Sequence, residues 1–85
     1  MTRDDALALL RDIMADKLGF DPVEVVPAAD LRDDLGMDSL DAIDIVESVQ
    51  EVLDRPLAEA EIEGLGTVAD VLDVMTAPDL VGAGR

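Results

Sequence analysis

The sequence has no cysteine and no histidine, a single aromatic residue (Phe20), and only six basic residues among 85. Without cysteine there is no disulfide and no thiolate metal site. Without histidine the chain lacks the one side chain that titrates near neutrality unperturbed, and with it the usual base for a serine nucleophile. Against those six basic residues stand 21 acidic ones, giving a formal net charge of −15. Nucleic-acid binding needs the opposite sign, and anionic membrane surfaces are disfavoured for the same reason. Met1-Thr2-Arg3-Asp4-Asp5 does not begin a signal peptide, and no apolar run approaches membrane-spanning length. The expectation is a soluble cytoplasmic monomer with no nucleic-acid partner and no membrane insertion.

What is present is aliphatic. Apolar residues make up 49% of the chain, almost all Leu, Val, Ile, Met and Ala. On helical spacing such a core suits a small helical bundle better than a sandwich or barrel. The predicted fold is all-α: a small four-helix bundle of three main helices and one short one, with a long loop between helices 1 and 2. A single domain over residues 1–76 and a disordered tail over 77–85, rich in Ala and Gly, are expected.

Thr2 is placed to cap a first helix running to Leu18, with Asp4 and Asp5 in its first turn and Gly19 as its stop. Leu7, Leu10, Met14 and Leu18 form its apolar stripe. From Phe20 to Met37 periodicity fails. Asp21-Pro22 and Val26-Pro27 bias the backbone to extended or turn geometry, and Val23, Val25 and Val26 read as anchors of a packed loop. Phe20, Leu31 and Leu35 are expected to turn inward. A second helix spans about Ser39 to Asp54, capped by Asp38 with Asp41 as capping-box partner. Its core stripe is Ala42, Ile45, Val46, Val49, Val52 and Leu53, and Pro56 ends it. Leu40 and Ile43 lie off that stripe beside Asp44, Glu47 and Glu51, as apolar residues on a docking surface would. One short turn over Glu59–Glu63 and a last helix capped by Thr67 complete the chain, the latter carrying Val68, Val71, Leu72 and Met75.

The only place for chemistry is the stretch from Asp33 to Asp41. Asp30, Asp33, Asp34, Asp38 and Asp41 cluster there, but a calcium loop counted from Asp30 puts Arg32 at position 3 and Leu35 at position 6, where a ligand and glycine belong. The pattern fails, and no dedicated metal site is expected. Ser39 reads as an acceptor. A helix N-terminus favours phosphate, and Gly36 lets the chain turn so that the hydroxyl stands clear for an external enzyme. The plain alternative is that Asp38 and Ser39 only begin a helix.

Asp34-Leu35-Gly36-Met37-Asp38-Ser39-Leu40 resembles the DLGxDSL attachment motif of acyl carrier proteins. The likeness continues through Asp41-Ala42-Ile43-Asp44-Ile45-Val46 and through Thr67-Val68 with Asp70, covering roughly Leu7 to Met75. It implies that Ser39 accepts 4′-phosphopantetheine from coenzyme A, installed by a separate magnesium-dependent phosphopantetheinyl transferase, with Gly36, Asp38 and Leu40 as motif neighbours. The resulting thiol would carry acyl groups as thioesters, and the chain itself would be no enzyme. Growing chains in the family can be sheltered among the helices.

The same likeness implies partners that load, extend (ketosynthase-type) or release the acyl chain through basic patches. Asp38, Asp41, Asp44 and Glu51 are the implied electrostatic contacts, Leu40 and Ile43 the apolar ones, with Ile62 and Glu63 from the short helix. Glu47 stands where relatives in fatty-acid synthesis often have an apolar residue, and Met37 where many have a small one; both are assigned to the partner-facing set. Glu47 tilts the expectation from fatty-acid toward polyketide biosynthesis. The alternatives are an aminoacyl or peptidyl carrier of a nonribosomal pathway and an unmodified acidic helical adaptor for a basic partner.

Overall fold

The computed structural model describes residues 1–77. Its helices are α1 (Arg3–Leu18), α2 (Ser39–Leu53), α3 (Glu59–Glu63) and α4 (Val68–Thr76). The expected all-α architecture is what the chain forms. Of the predicted tail, residues 78–85 lie outside the described residues.

Local chemistry explains where each helix starts and stops. The Thr2 hydroxyl accepts the Asp5 N–H at 3.1 Å. Gly19, at φ 74, ends α1. There Gly19 N–H donates to Ala15 O and Phe20 N–H to Met14 O, satisfying carbonyls the helix leaves open. α2 ends at Leu53, within a residue of the expected end near Asp54 and ahead of Pro56. Asp54 turns left-handed at φ 54, and its N–H and that of Arg55 both donate to Gln50 O.

α1, α2 and α4 surround one core. Ala6, Leu10 and Met14 come from α1, Ile45 and Val49 from α2, and Val68, Val71, Leu72 and Met75 from α4. Each large aliphatic side chain buried this way stabilises the fold by about 1.5–3 kcal/mol. α3 contributes no buried residue. The inward face of α2 is rotated from the expected one: Ala42 is exposed, whereas Ser48 is buried. Ser48 stands three residues after Ile45 and one before Val49, so it shares their face of the helix.

The long loop is anchored to the core at intervals, through Val25, Ala29, Leu31, Leu35 and Met37. Asp21 accepts the Val23 N–H at 3.0 Å and opens one 3-10 turn over Pro22–Glu24. Only one of the three valines is an anchor: Val25 is fully buried, while Val23 is 80% exposed and Val26 also faces solvent. The Arg11 side chain fixes this bend by donating from Nε to Val25 O at 2.9 Å. Phe20 is half-buried against the core, and Leu31 and Leu35 are buried in it. Further on, the loop is sewn to the start of α4. Ala69 N–H donates to Pro27 O, Val68 N–H to Ala29 O, and Leu31 N–H to Gly66 O, around a single antiparallel bridge between Asp30 and Thr67. The loop carbonyls thus occupy amides that the N-terminus of α4 would otherwise leave open.

Candidate functional site

The acidic loop before α2 is a hydrogen-bonded knot. Asp30 Oδ1 accepts the N–H groups of Arg32 and Asp33, both at 2.9 Å. Asp34 Oδ2 accepts the Asp30 N–H at 2.7 Å. Gly36 N–H donates to Arg32 O and Met37 N–H to Leu31 O, each at 2.9 Å, across the left-handed bend at Gly36, φ 69. A side chain at that φ would be strained, although space for a Cβ is open. Leu31, Leu35 and Met37 anchor the knot in the core. Two of the clustered carboxylates therefore organise backbone here.

The knot delivers the chain to Asp38, the N-cap of α2. Asp38 Oδ1 accepts the Asp41 N–H at 2.9 Å, and Asp41 Oδ2 accepts the Asp38 N–H at 3.4 Å, closing a capping box. Ser39 is the first residue of α2 and is exposed. Among the described residues its hydroxyl has no hydrogen-bond partner. Leu40 beside it is 71% exposed.

Ser39 sits on the rim of a groove of about 660 Å³. One wall is α2, through Ala42, Ile43, Ile45 and Val46, and the floor includes Leu31, Met37 and Leu65. Ile62 and Glu63 of α3 form the facing wall, and Asp30, Arg32, Asp33 and Asp38 give the Ser39 end a polar rim. The groove is mostly apolar along its length and charged at the head.

The α3 wall is held from outside. Arg55 donates from both terminal nitrogens to Glu61, at 3.2 and 3.1 Å, and Glu61 also accepts the Ala58 N–H at 3.0 Å. The Arg55 guanidinium first, then the Ala58 amide, lowers the Glu61 pKa below its ordinary value. Gln50 Oε1 accepts the Leu57 N–H at 2.8 Å, fastening the α2–α3 connection. At the groove's other edge, Asp70 Oδ2 accepts the N–H groups of Gly66 at 2.8 Å and Thr67 at 2.9 Å, which lowers the Asp70 pKa.

The residues singled out as partner-facing separate into three places. Ile43, 53% exposed, and Ile62, 37% exposed, line the groove with Glu63. Asp44, Glu47 and Glu51 are exposed along α2. Glu47 and Glu51 border a second, shallower recess with Gln50 and Arg55. Met37 is only 7% exposed; its N–H donates to Leu31 O, and its side chain lies on the floor of the groove. Asp41 is half-buried and engaged in the capping box. Sequence reasoning missed Arg32, Gln50 and the Arg55–Glu61 pair. Arg32 adjoins the motif and was visible as a lone cation there; the others act through turns that no periodicity announces.

Chemically, the site presents a free primary hydroxyl at a helix N-terminus and, beside it, an apolar channel. Nothing on the groove rim is a histidine or cysteine; of its carboxylates, Asp30 and Asp38 are committed to backbone N–H groups, while Asp33 and Glu63 accept no such bond among the described residues.

Comparison with known proteins agrees with this geometry. The family model for phosphopantetheine attachment sites matches residues 8–75. The chain is 38% identical over 73 residues to an acyl carrier protein of Thermosynechococcus vestitus, covering 86% of this chain and 90% of that one. It is 36% identical over 73 residues to an acyl carrier protein of Rubrobacter xylanophilus, with the same coverage of 86% and 90%. A third such protein, from Saccharopolyspora erythraea, is 31% identical over 74 residues, 87% of this chain and 78% of the relative.

Proposed function

The chain belongs to the acyl carrier protein family, whose prosthetic group is covalent 4′-phosphopantetheine, and from that premise we propose that Ser39 is its attachment point. The observation that carries this reading is the unpartnered, exposed hydroxyl at the first position of α2, on the rim of an apolar groove. The residues fit the group. The rim has room and a positive helix end for a phosphodiester, and the groove beyond offers apolar walls to an acyl chain.

Bound there, the arm supplies a thiol that a cysteine-free chain lacks, and thioester chemistry takes place on that thiol. In attachment, Ser39 Oγ would bond to the β-phosphorus of coenzyme A, with the phosphoanhydride breaking and adenosine 3′,5′-bisphosphate leaving. The hydroxyl proton would pass to the transferase; among the described residues no side chain hydrogen-bonds to Ser39 Oγ. The capping box keeps Ser39 at the helix start, and Gly36 turns the knot so that the hydroxyl faces outward. Ala42, Ile43 and Val46 exclude water from whatever lies along the groove.

The protein so read is a non-catalytic carrier of polyketide or fatty-acid intermediates, substrate of a phosphopantetheinyl transferase, working as a cytoplasmic monomer on one domain spanning residues 1–76. Its exposed acidic α2 face steers basic patches on loading, ketosynthase-type and release enzymes. Asp44, Glu47 and Glu51, with Leu40 and Ile43, are the contacts best placed for this. Glu47 on that face favours polyketide over fatty-acid partners.

The test is an intact mass after incubation with coenzyme A, magnesium and a promiscuous phosphopantetheinyl transferase. One phosphopantetheine addition is expected, and none in Ser39→Ala. No addition to the parent chain, or addition persisting in Ser39→Ala, refutes the assignment.

A further inference from the structure

Among the described residues, the groove lining contains one cation. Of the basic residues among those described, Arg3 is paired with Asp73 at 2.7 Å, Arg11 donates to Val25 O, and Arg55 is held by Glu61. Lys17 lies in the last turn of α1, away from the groove. Arg32 is the single basic side chain on the groove lining. Among the described residues its guanidinium has neither a hydrogen bond nor an ion pair.

That absence is informative in so acidic a setting. Asp33 follows Arg32 directly, yet no ion pair forms between them, and Asp30 and Asp34, two residues away on either side, are bound to backbone N–H groups of the knot. Asp38 and Asp41 are bound to each other's amides. Asp33 and Glu63 remain on the rim as carboxylates without such a bond. A phosphodiester on Ser39 adds an anion to this rim, in a chain whose net charge is already −15. The cost is reduced only by donors that the knot and the cap have not used. Those are the first amides of α2 and the Arg32 guanidinium.

We infer that Arg32 is a positioning residue for the prosthetic arm, its guanidinium donating to the phosphodiester on Ser39 and turning the arm into the groove. This rests on Ser39 being the attachment point. The diester keeps one negative charge throughout the neutral range, so the contact is set by ionic strength rather than by pH. Its fork of donors suits two phosphate oxygens, which a lysine meets only as a point charge.

The experiment uses ¹⁵N-labelled full chain, apo and modified, as parent, Arg32→Gln and Arg32→Lys, each checked by intact mass. In the parent, the Arg32 Nε–H resonance is expected to shift on modification, and the ³¹P resonance to move toward its Arg32→Gln position as ionic strength rises to about 1 M, where screening acts within about 3 Å. Arg32→Gln should lose the salt-dependent ³¹P shift, and Arg32→Lys should retain part of it. A correctly modified parent with an unmoved Nε–H and a ³¹P shift equal to that of Arg32→Gln overturns the inference while leaving Ser39 as the site. Absence of the mass addition overturns both.

Discussion

The carboxylate of Asp38 accepts the backbone N–H of Asp41, and the carboxylate of Asp41 accepts the backbone N–H of Asp38. This reciprocal pair holds the first turn of α2, with Ser39 and Leu40 between its two members. Both acids lie in the stretch that resembles the attachment motif, and both have a structural duty apart from any partner.

Removing either half of the box should therefore destabilise the domain. Asp38→Ala is expected to cost about 1 kcal/mol, from loss of the cap on Asp41 N–H. Asp41→Ala should cost less, because its bond at 3.4 Å is the longer of the two. Urea titration followed by circular dichroism gives both values, and an unchanged midpoint for Asp38→Ala would contradict the cap.

Charge reversal tests the docking face without touching the box. Asp44 and Glu47 are exposed and outside the cap, so Asp44→Lys and Glu47→Lys should leave stability within about 0.5 kcal/mol. Modification by the transferase should slow several-fold at low salt and converge with the parent at high salt. Equal rates at low salt would remove the case for this face. Asp41→Lys is a poorer probe, since it breaks the cap at the same time.

Ser48 is 2% exposed, and among the described residues its Oγ has no hydrogen-bond partner. A buried hydroxyl left unpaired costs about 1–3 kcal/mol relative to a paired one. Ser48→Ala is consequently expected to be neutral or to raise the melting temperature. A fall comparable to that of a core truncation would show that the hydroxyl is paired in solution.

Two carboxylates link stability to pH. The pKa values of Glu61 and Asp70 are lowered from ordinary values of 4.5 and 3.8. A depressed pKa means the folded state holds the proton less tightly than the unfolded one. The stabilisation is thus fully present above those ordinary values and is lost as pH falls through the folded ones. Urea midpoints measured downward from pH 6 should stay level until near pH 4.5 and then fall. Asp70→Asn should be less stable at pH 6 and show a shallower acid decline. An identical decline in the variant would exclude Asp70 as a contributor.

Elements built on local signals were legible in the sequence. Thr2, Asp38 and Thr67 announce helix starts, because a short polar side chain before an apolar-periodic run reaches the amide three residues on. Gly19 announces a stop for an equally local reason. The inward turn of Leu31 and Leu35 was legible too, although no periodicity supports it, because apolar residues in an ordered loop have only the core to enter.

The sequence by itself determined the helices, the anionic surface, and Ser39 at the head of the longest amphipathic stretch after the loop. All of these depend on neighbours a few residues apart. Only the tertiary structure decided which side of α2 faces inward, burying Ser48 and exposing Ala42, since helical periodicity leaves the angle of a broad apolar stripe to its packing partners. It also decided that Met37 turns to the core, that Arg32 and Ser39 line the same groove, and that Ile62 and Glu63 of α3 line it too. The first two relations join residues six or seven apart across irregular turns, and the third rests on the packing around them, where no helical period fixes which side chains come together.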